Sequence, residues 1–171
     1  MEPVVIILRL VHVMGGAFWF GAALLMVVFI EPAAAELGPD GGRFLQKLMA
    51  TRRLAAVMTG AAAATVLAGL GLFIRDSGLA PGWVLSGPGL GFLGGGLAGL
   101  GAFGLGFFLT RPAAEELSAL GRRLAGGGRP PEPELLKRVK ELEAALRRYS
   151  LAGAVLLVGA VALMAVARYL P

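Results

Sequence analysis

The stretch Arg9-Leu-Val-His12-Val-Met-Gly-Gly16-Ala-Phe-Trp19 places the only histidine of a 171-residue chain inside an unbroken apolar run. Between Val4 and Ile30 the ionisable side chains are Arg9 and His12 alone, and the run exceeds the roughly 20 residues that cross a bilayer core. It reads as a transmembrane helix. Pro3 suits the first turn, and a rise of about 1.5 Å per residue puts His12 roughly 13 Å below the outer end. An ionisable group at such depth is costly, which makes it a functional candidate where it faces other helices. Arg9, His12, Gly16 and Trp19 share one face by their i, i+3, i+4 spacing, and Gly16 leaves room beside the imidazole for a flat ligand or a close helix. Two readings of His12 stand: a ligand to a cofactor, or a structural hydrogen bond to a neighbouring carbonyl or hydroxyl.

Composition sets the class around this helix. With 57% hydrophobic and 16% charged residues and a mean hydropathy of +0.76, the chain is too apolar for a soluble domain and reads as a polytopic membrane protein. Its net charge of +5 does not point to nucleic acid. The basic residues flank apolar spans instead of forming one stripe with interleaved aromatics, so the expected partner is the lipid bilayer. The absence of cysteine removes disulfides, thiolate catalysis, iron-sulfur clusters and cysteine-based zinc sites. One histidine forbids bis-histidine haem ligation within a subunit, although a homodimer could supply one from each protomer. The first run lacks a basic N-terminal flank and is too long for a signal-peptide core, so it is expected to remain as a span, even though Ala33-Ala34-Ala35 resembles a small-residue cleavage site.

Outward from the first span, Glu31-Pro32 to Gly42 is expected to be a loop punctuated by proline and glycine, followed by a short helix with Phe44, Leu45, Leu48 and Met49 on its apolar face. A second span follows from Leu54 to Ile74. The third, beginning near Trp83 or Ser86 and ending at Thr110, carries Gly87, Gly91, Gly95 and Gly99 every four residues, a small-residue ridge for close helix packing. Trp83 sits where an interfacial anchor belongs. Beyond Arg111-Pro112 the chain is read as helical, breaks between Gly126 and Pro133, and resumes with Leu135, Val139, Leu142 and Leu146 at helical spacing. That helix is expected to run without a stop into the last span.

The fold expected is therefore all-α: a single membrane domain, a four-transmembrane-helix bundle with spans at about 4–30, 54–74, 84–110 and 150–168. The third and fourth helices extend into a cytoplasmic helical hairpin over about 111–149. Thirteen of the sixteen lysines and arginines fall in the first and third connections, leaving Arg9, Arg75 and Arg168. The positive-inside rule then puts both termini outside a cell membrane and the basic loops in the cytoplasm. Phe29-Ile-Glu31-Pro32-Ala-Ala-Ala-Glu36-Leu37 is echoed 80 residues on by Leu109-Thr-Arg111-Pro112-Ala-Ala-Glu-Glu116-Leu117, which suggests two parallel, pseudo-repeated hairpins. Glu31 is expected to pair with Arg111, Arg52 or Arg53, because a carboxylate at that boundary is poorly solvated alone. Phe92 stands where His12 stands in the first half, so a site is expected on the first two spans.

At Leu10-Val-His12, at Trp19-Phe-Gly21 and at Met49-Ala-Thr-Arg52-Arg53-Leu54 with Val57-Met58-Thr59, the chain resembles the HemJ/CopD-like superfamily of small four-helix membrane proteins. The resemblance covers the first two spans. It implies a bundle whose first-span histidine, His12, binds a haem or porphyrin through the iron, with Arg52 or Arg53 near an acidic group of the ligand. That superfamily includes protoporphyrinogen oxidases and copper-resistance domains, and the chain departs from the oxidase pattern in lacking a basic residue shortly after Trp19 and a second histidine. Copper handling would need more soft ligands on one face than His12 and Met14 supply.

Three functions follow. The first is haem or porphyrin binding, extending to redox chemistry, with His12 as axial ligand and Phe18, Trp19 and Phe20 about the ring. The second is a non-catalytic module whose cytoplasmic hairpin docks a protein partner or drives assembly. The third is a small-solute transporter or channel, for which the spans offer few polar residues beyond Thr59, Thr65 and His12. Conventional catalysis finds no nucleophile with a base nearby, no phosphate loop and no metal-hydrolase motif.

Overall fold

Apolar runs of this length satisfy their backbone polar groups internally in lipid, and each becomes a helix. The computed structural model describes residues 3–50, 53–126 and 132–171; Arg52 lies outside them. The helices are α1 (Pro3–Leu25), α2 (Glu31–Glu36), α3 (Pro39–Ala50), α4 (Leu54–Ser77), α5 (Pro81–Val84), α6 (Gly87–Leu105), α7 (Arg111–Gly126) and α8 (Pro133–Val166), with no strand among the described residues. Four continuous helical stretches are long and apolar enough to cross a membrane. Their outer faces expose large apolar side chains such as Val13, Phe18, Leu67 and Phe108, as lipid-facing surfaces do. The chain is a multi-pass helical membrane protein.

The connection after the first span differs from the expected loop. A π turn at Met26–Ile30 leads directly into α2, so the chain stays helical to Glu36 and reverses at Leu37 and Gly38, where Gly38 adopts φ +57°. Proline explains the turn. Pro32 has no N–H, and its ring would strike the carbonyl four residues back in an α-helix. The Glu31 N–H instead reaches the Met26 carbonyl, five residues back, and the wider turn takes the ring without ending the helix. The same device recurs at Gly106–Thr110, where the Arg111 N–H bonds the Gly106 carbonyl ahead of Pro112.

At the opposite end of the bundle, α4 closes on Gly78 at φ +53°. Ser86 caps α6 by accepting the Gly89 N–H at 3.2 Å. Trp83 packs inward, edge-on to Phe73 at 5.7 Å and stacked on Phe92 at 6.4 Å.

Helix α1 lies chiefly against α4 and α6 chiefly against α8, with narrower seams between the two pairs. One buried residue from each helix, Trp19, Ala62, Ala102 and Leu157, joins them at the centre. Three glycines of the expected ridge do bring α6 close to the last helix. A Cβ on Gly91 would lie 2.9 Å from the Ala167 Cα, one on Gly95 3.0 Å from the Ala160 carbonyl oxygen, and one on Gly87 would meet the Pro171 backbone. Gly99 is the correction, since a Cβ there meets nothing within 4 Å. Four-residue steps rotate by about 40° each on a helix of 3.6 residues per turn. By Gly99 the ridge has left the seam, which passes instead from Gly95 to the buried Ala102.

Helix α8 is one uninterrupted element of 34 residues, and its first half lies beside α7. Leu120 and Leu142 are buried there, and Arg138 donates two hydrogen bonds to Glu116, at 2.7 and 2.8 Å.

Candidate functional site

His12 is half-buried between α1 and α4. Its Nδ1 lies 2.8 Å from the Thr65 carbonyl oxygen. A carbonyl can only accept, so Nδ1 carries the proton and, in the neutral ring, Nε2 holds the free lone pair. Gly69, one turn beyond Thr65, makes the approach feasible: a Cβ there would sit 2.6 Å from His12 Cε1 and 2.7 Å from Nδ1. Nε2 has no hydrogen-bond partner among the described residues and is not sealed from the surroundings. Gly15 and Gly16 hold the two helices in this register. A Cβ on Gly15 would fall 2.6 Å from Thr65 Oγ1, and one on Gly16 would fall 3.4 Å from Thr65 Cγ2. The space beside Gly16 is thus filled by the close helix, not left for a flat ligand.

The other residues expected to share this site are spread along the bundle. Arg9 is exposed one turn before His12. Trp19 is only 9% exposed in the central core. Arg53, exposed at the start of α4, is sixteen residues from Gly69, about 24 Å along the helix axis. It cannot reach a ligand held by His12. Thr65, Gly15 and Gly69 join the site without having been singled out for it.

A second feature lies deeper along the bundle. All four long helices line a cavity of about 190 Å³ that begins at Trp19, Ala62, Ala102 and Leu157 and extends past both π turns to Glu31, Arg111, Tyr149 and Ser150. His12 is not among its lining residues. The expected Glu31–Arg111 ion pair is replaced. Arg111 Nε donates to Glu115 at 2.8 Å and its guanidinium lies over the Phe107 ring at 5.7 Å, while the Glu31 carboxyl faces Ser150 and the more distant charge of Arg147. No described Lys or Arg comes within 4 Å of Glu31. The helix after each proline explains the exchange: α7 continues outward from Arg111, so Glu115, one turn on, is nearer than a residue across the bundle.

No group of three or more metal-ligating side chains occurs among the described residues. No protein-family model matches the sequence, and no curated protein or solved structure shows significant similarity to it.

Proposed function

We propose that the protein binds haem or a related porphyrin at the α1/α4 face, with the Nε2 of His12 as the iron ligand. The single observation that carries this reading is that Nε2 is left unpartnered and unsealed once Nδ1 has made the inter-helix bond to the Thr65 carbonyl, a bond that a structural histidine also makes. Histidines that ligate metals almost always donate their other ring N–H to a carbonyl, carboxylate or water, which sets the tautomer and aims the lone pair. The chain's own residues would hold the iron through one nitrogen, His12 Nε2. Gly69 gives the ring a flat floor, and the exposed Arg9, one turn away, offers a cation to an acidic substituent of the ligand. The bundle interior does not fit a macrocycle, because the cavity is smaller than the ~300 Å³ at which pockets for drug-sized ligands begin. The macrocycle would therefore lie at the outer edge of the α1/α4 seam, where a second copy of the chain would supply a further His12. Haem bound there would supply redox or electron-transfer chemistry.

The test is the absorbance of detergent-purified wild type and His12→Ala after haem is added, with far-UV circular dichroism as the folding control. A sharp Soret band in wild type that His12→Ala loses is the expected result. A wild type that stays colourless overturns the proposal and leaves a non-catalytic membrane module, its α7/α8 hairpin docking a partner.

The proposed orientation follows the charge distribution: basic connections in the cytoplasm, both termini outside, His12 in the outer half of a cell membrane. The proposed repeat is supported by the two π turns, which are offset by the same 80 residues as Glu31-Pro32 and Arg111-Pro112.

A further inference from the structure

We propose that the central cavity is a second site, independent of His12, which binds a small hydrophobic cation with its ammonium on Glu31 and its apolar body against Trp19. Three observations combine. The cavity holds about 190 Å³, and a 150 Å³ apolar cavity is enough for a benzene ring. Its inner part is apolar, walled by Met26, Met58 and Phe103 above the Trp19 floor, so a hydrocarbon body gains by leaving water. The polar groups that line it are unequally committed. Arg111 is already paired with Glu115 and stacked on Phe107, whereas Glu31 faces the Ser150 hydroxyl and has no described cation within 4 Å. A carboxylate accepts at about four lone-pair positions, so unspent acceptor capacity sits in the wall of a mostly apolar cavity. An ammonium head satisfies it, and Tyr149 in the wall adds an aromatic ring.

Both π turns border this cavity through Met26, Val27, Gly106 and Phe107. Such turns occur often at functional sites, and Glu31 follows directly on the first of them. An anionic amphiphile is disfavoured by the same carboxylate. A neutral one of equal shape fills the apolar part but leaves Glu31 unpaired.

The experiment uses the full chain in detergent with Trp83→Phe, which leaves Trp19 as the single tryptophan, since the chain has two. Titration with benzylammonium is expected to give a saturable change in Trp19 fluorescence. Benzyl alcohol should bind at least tenfold more weakly, and phenylacetate not at all. Glu31→Gln should reduce the affinity for benzylammonium to that for benzyl alcohol. Gly153→Leu should abolish both, because position 153 lines the cavity and a Cβ there meets nothing within 4 Å, so the added side chain occupies the space without a backbone clash; Ala102→Val serves as a second filling variant. The proposal is overturned by an unsaturable response, by equal affinity for amine and alcohol, or by a Glu31→Gln variant that binds the amine as wild type does. His12→Ala in the same background should leave the titration unchanged, which separates failure here from failure of the haem reading.

Discussion

The imidazole of His12 is held by what Gly69 lacks. With a Cβ only 2.6 Å from the ring, Gly69→Ala must displace His12 from the Thr65 carbonyl or push α1 from α4, and overpacking of this kind costs about 1–3 kcal/mol. His12→Ala removes the inter-helix hydrogen bond, worth ~0.6 kcal/mol on average in membrane bundles, and the ring's contact with Gly69, but it strains nothing and leaves the Thr65 carbonyl its place in the α4 ladder. Unfolding in mixed micelles should therefore rank Gly69→Ala as the more damaging change. Nitrogen-15 NMR of the single histidine should show the Nδ1–H tautomer in wild type and its loss in Gly69→Ala. The reverse ranking would mean that the ring's position is set by something other than the missing side chain. His12 was legible in the sequence because one ionisable group in an apolar run marks itself. Its acceptor was not, since every residue carries a carbonyl and Gly69 is one of 27 glycines. What selects Thr65 is the register of α1 on α4, set by Gly15 and Gly16 from the other helix.

Elements reveal more than their periodicity does. The four spans and the extended hairpin, helical beyond Pro112, could be read from apolar runs and charge, but Pro32 reads as opening a loop whereas the backbone absorbs it, as it does Pro112, in a π turn. The glycine ridge was likewise read as four equal positions, although its fourth member has rotated out of the seam. Gly91→Ala must force the backbone of the last helix aside and should cost about 1–3 kcal/mol. Gly99→Ala meets nothing and should stabilise α6 by about 0.5–1 kcal/mol through the lower flexibility of alanine. Denaturation midpoints of the two variants should move in opposite directions, and a shared direction would refute the assigned seam. In the α7/α8 hairpin, hydrogen bonds from Arg138 hold the Glu116 carboxyl below its ordinary value of 4.5. A lowered carboxylate pKa gives a contribution that is complete above that ordinary value and lost as pH falls through the depressed one. The distance distribution between spin labels on α7 and α8 should accordingly stay narrow at neutral pH and broaden in that acidic window. Glu116→Gln, lacking the charge at every pH, should be broader at neutral pH and nearly insensitive to acid.

At the scale of the whole molecule, two close helix pairs meet along narrow seams, and the space they leave between them becomes the cavity. That arrangement gives the bundle two chemically different ends. One carries Arg53, Glu31, Arg111 and the long hairpin; the other carries the Phe73, Trp83 and Phe92 cluster and the short α5 turn. With thirteen of sixteen basic side chains in the connections at the first end, translocation of that end would be opposed charge by charge, so it should stay in the cytoplasm. The natural lack of cysteine makes this directly measurable. Gly82→Cys, exposed within α5, and Lys140→Cys, exposed on the hairpin, each introduce the only thiol. A membrane-impermeant maleimide applied to intact cells should label the first at once and the second only after permeabilisation. Labelling in the opposite order would invert the protein, open the Glu31 cavity to the exterior, and move His12 to the inner half of the membrane. The cavity's cation would then be drawn from outside the cell, so the same pair of cysteines decides from which compartment the site is filled.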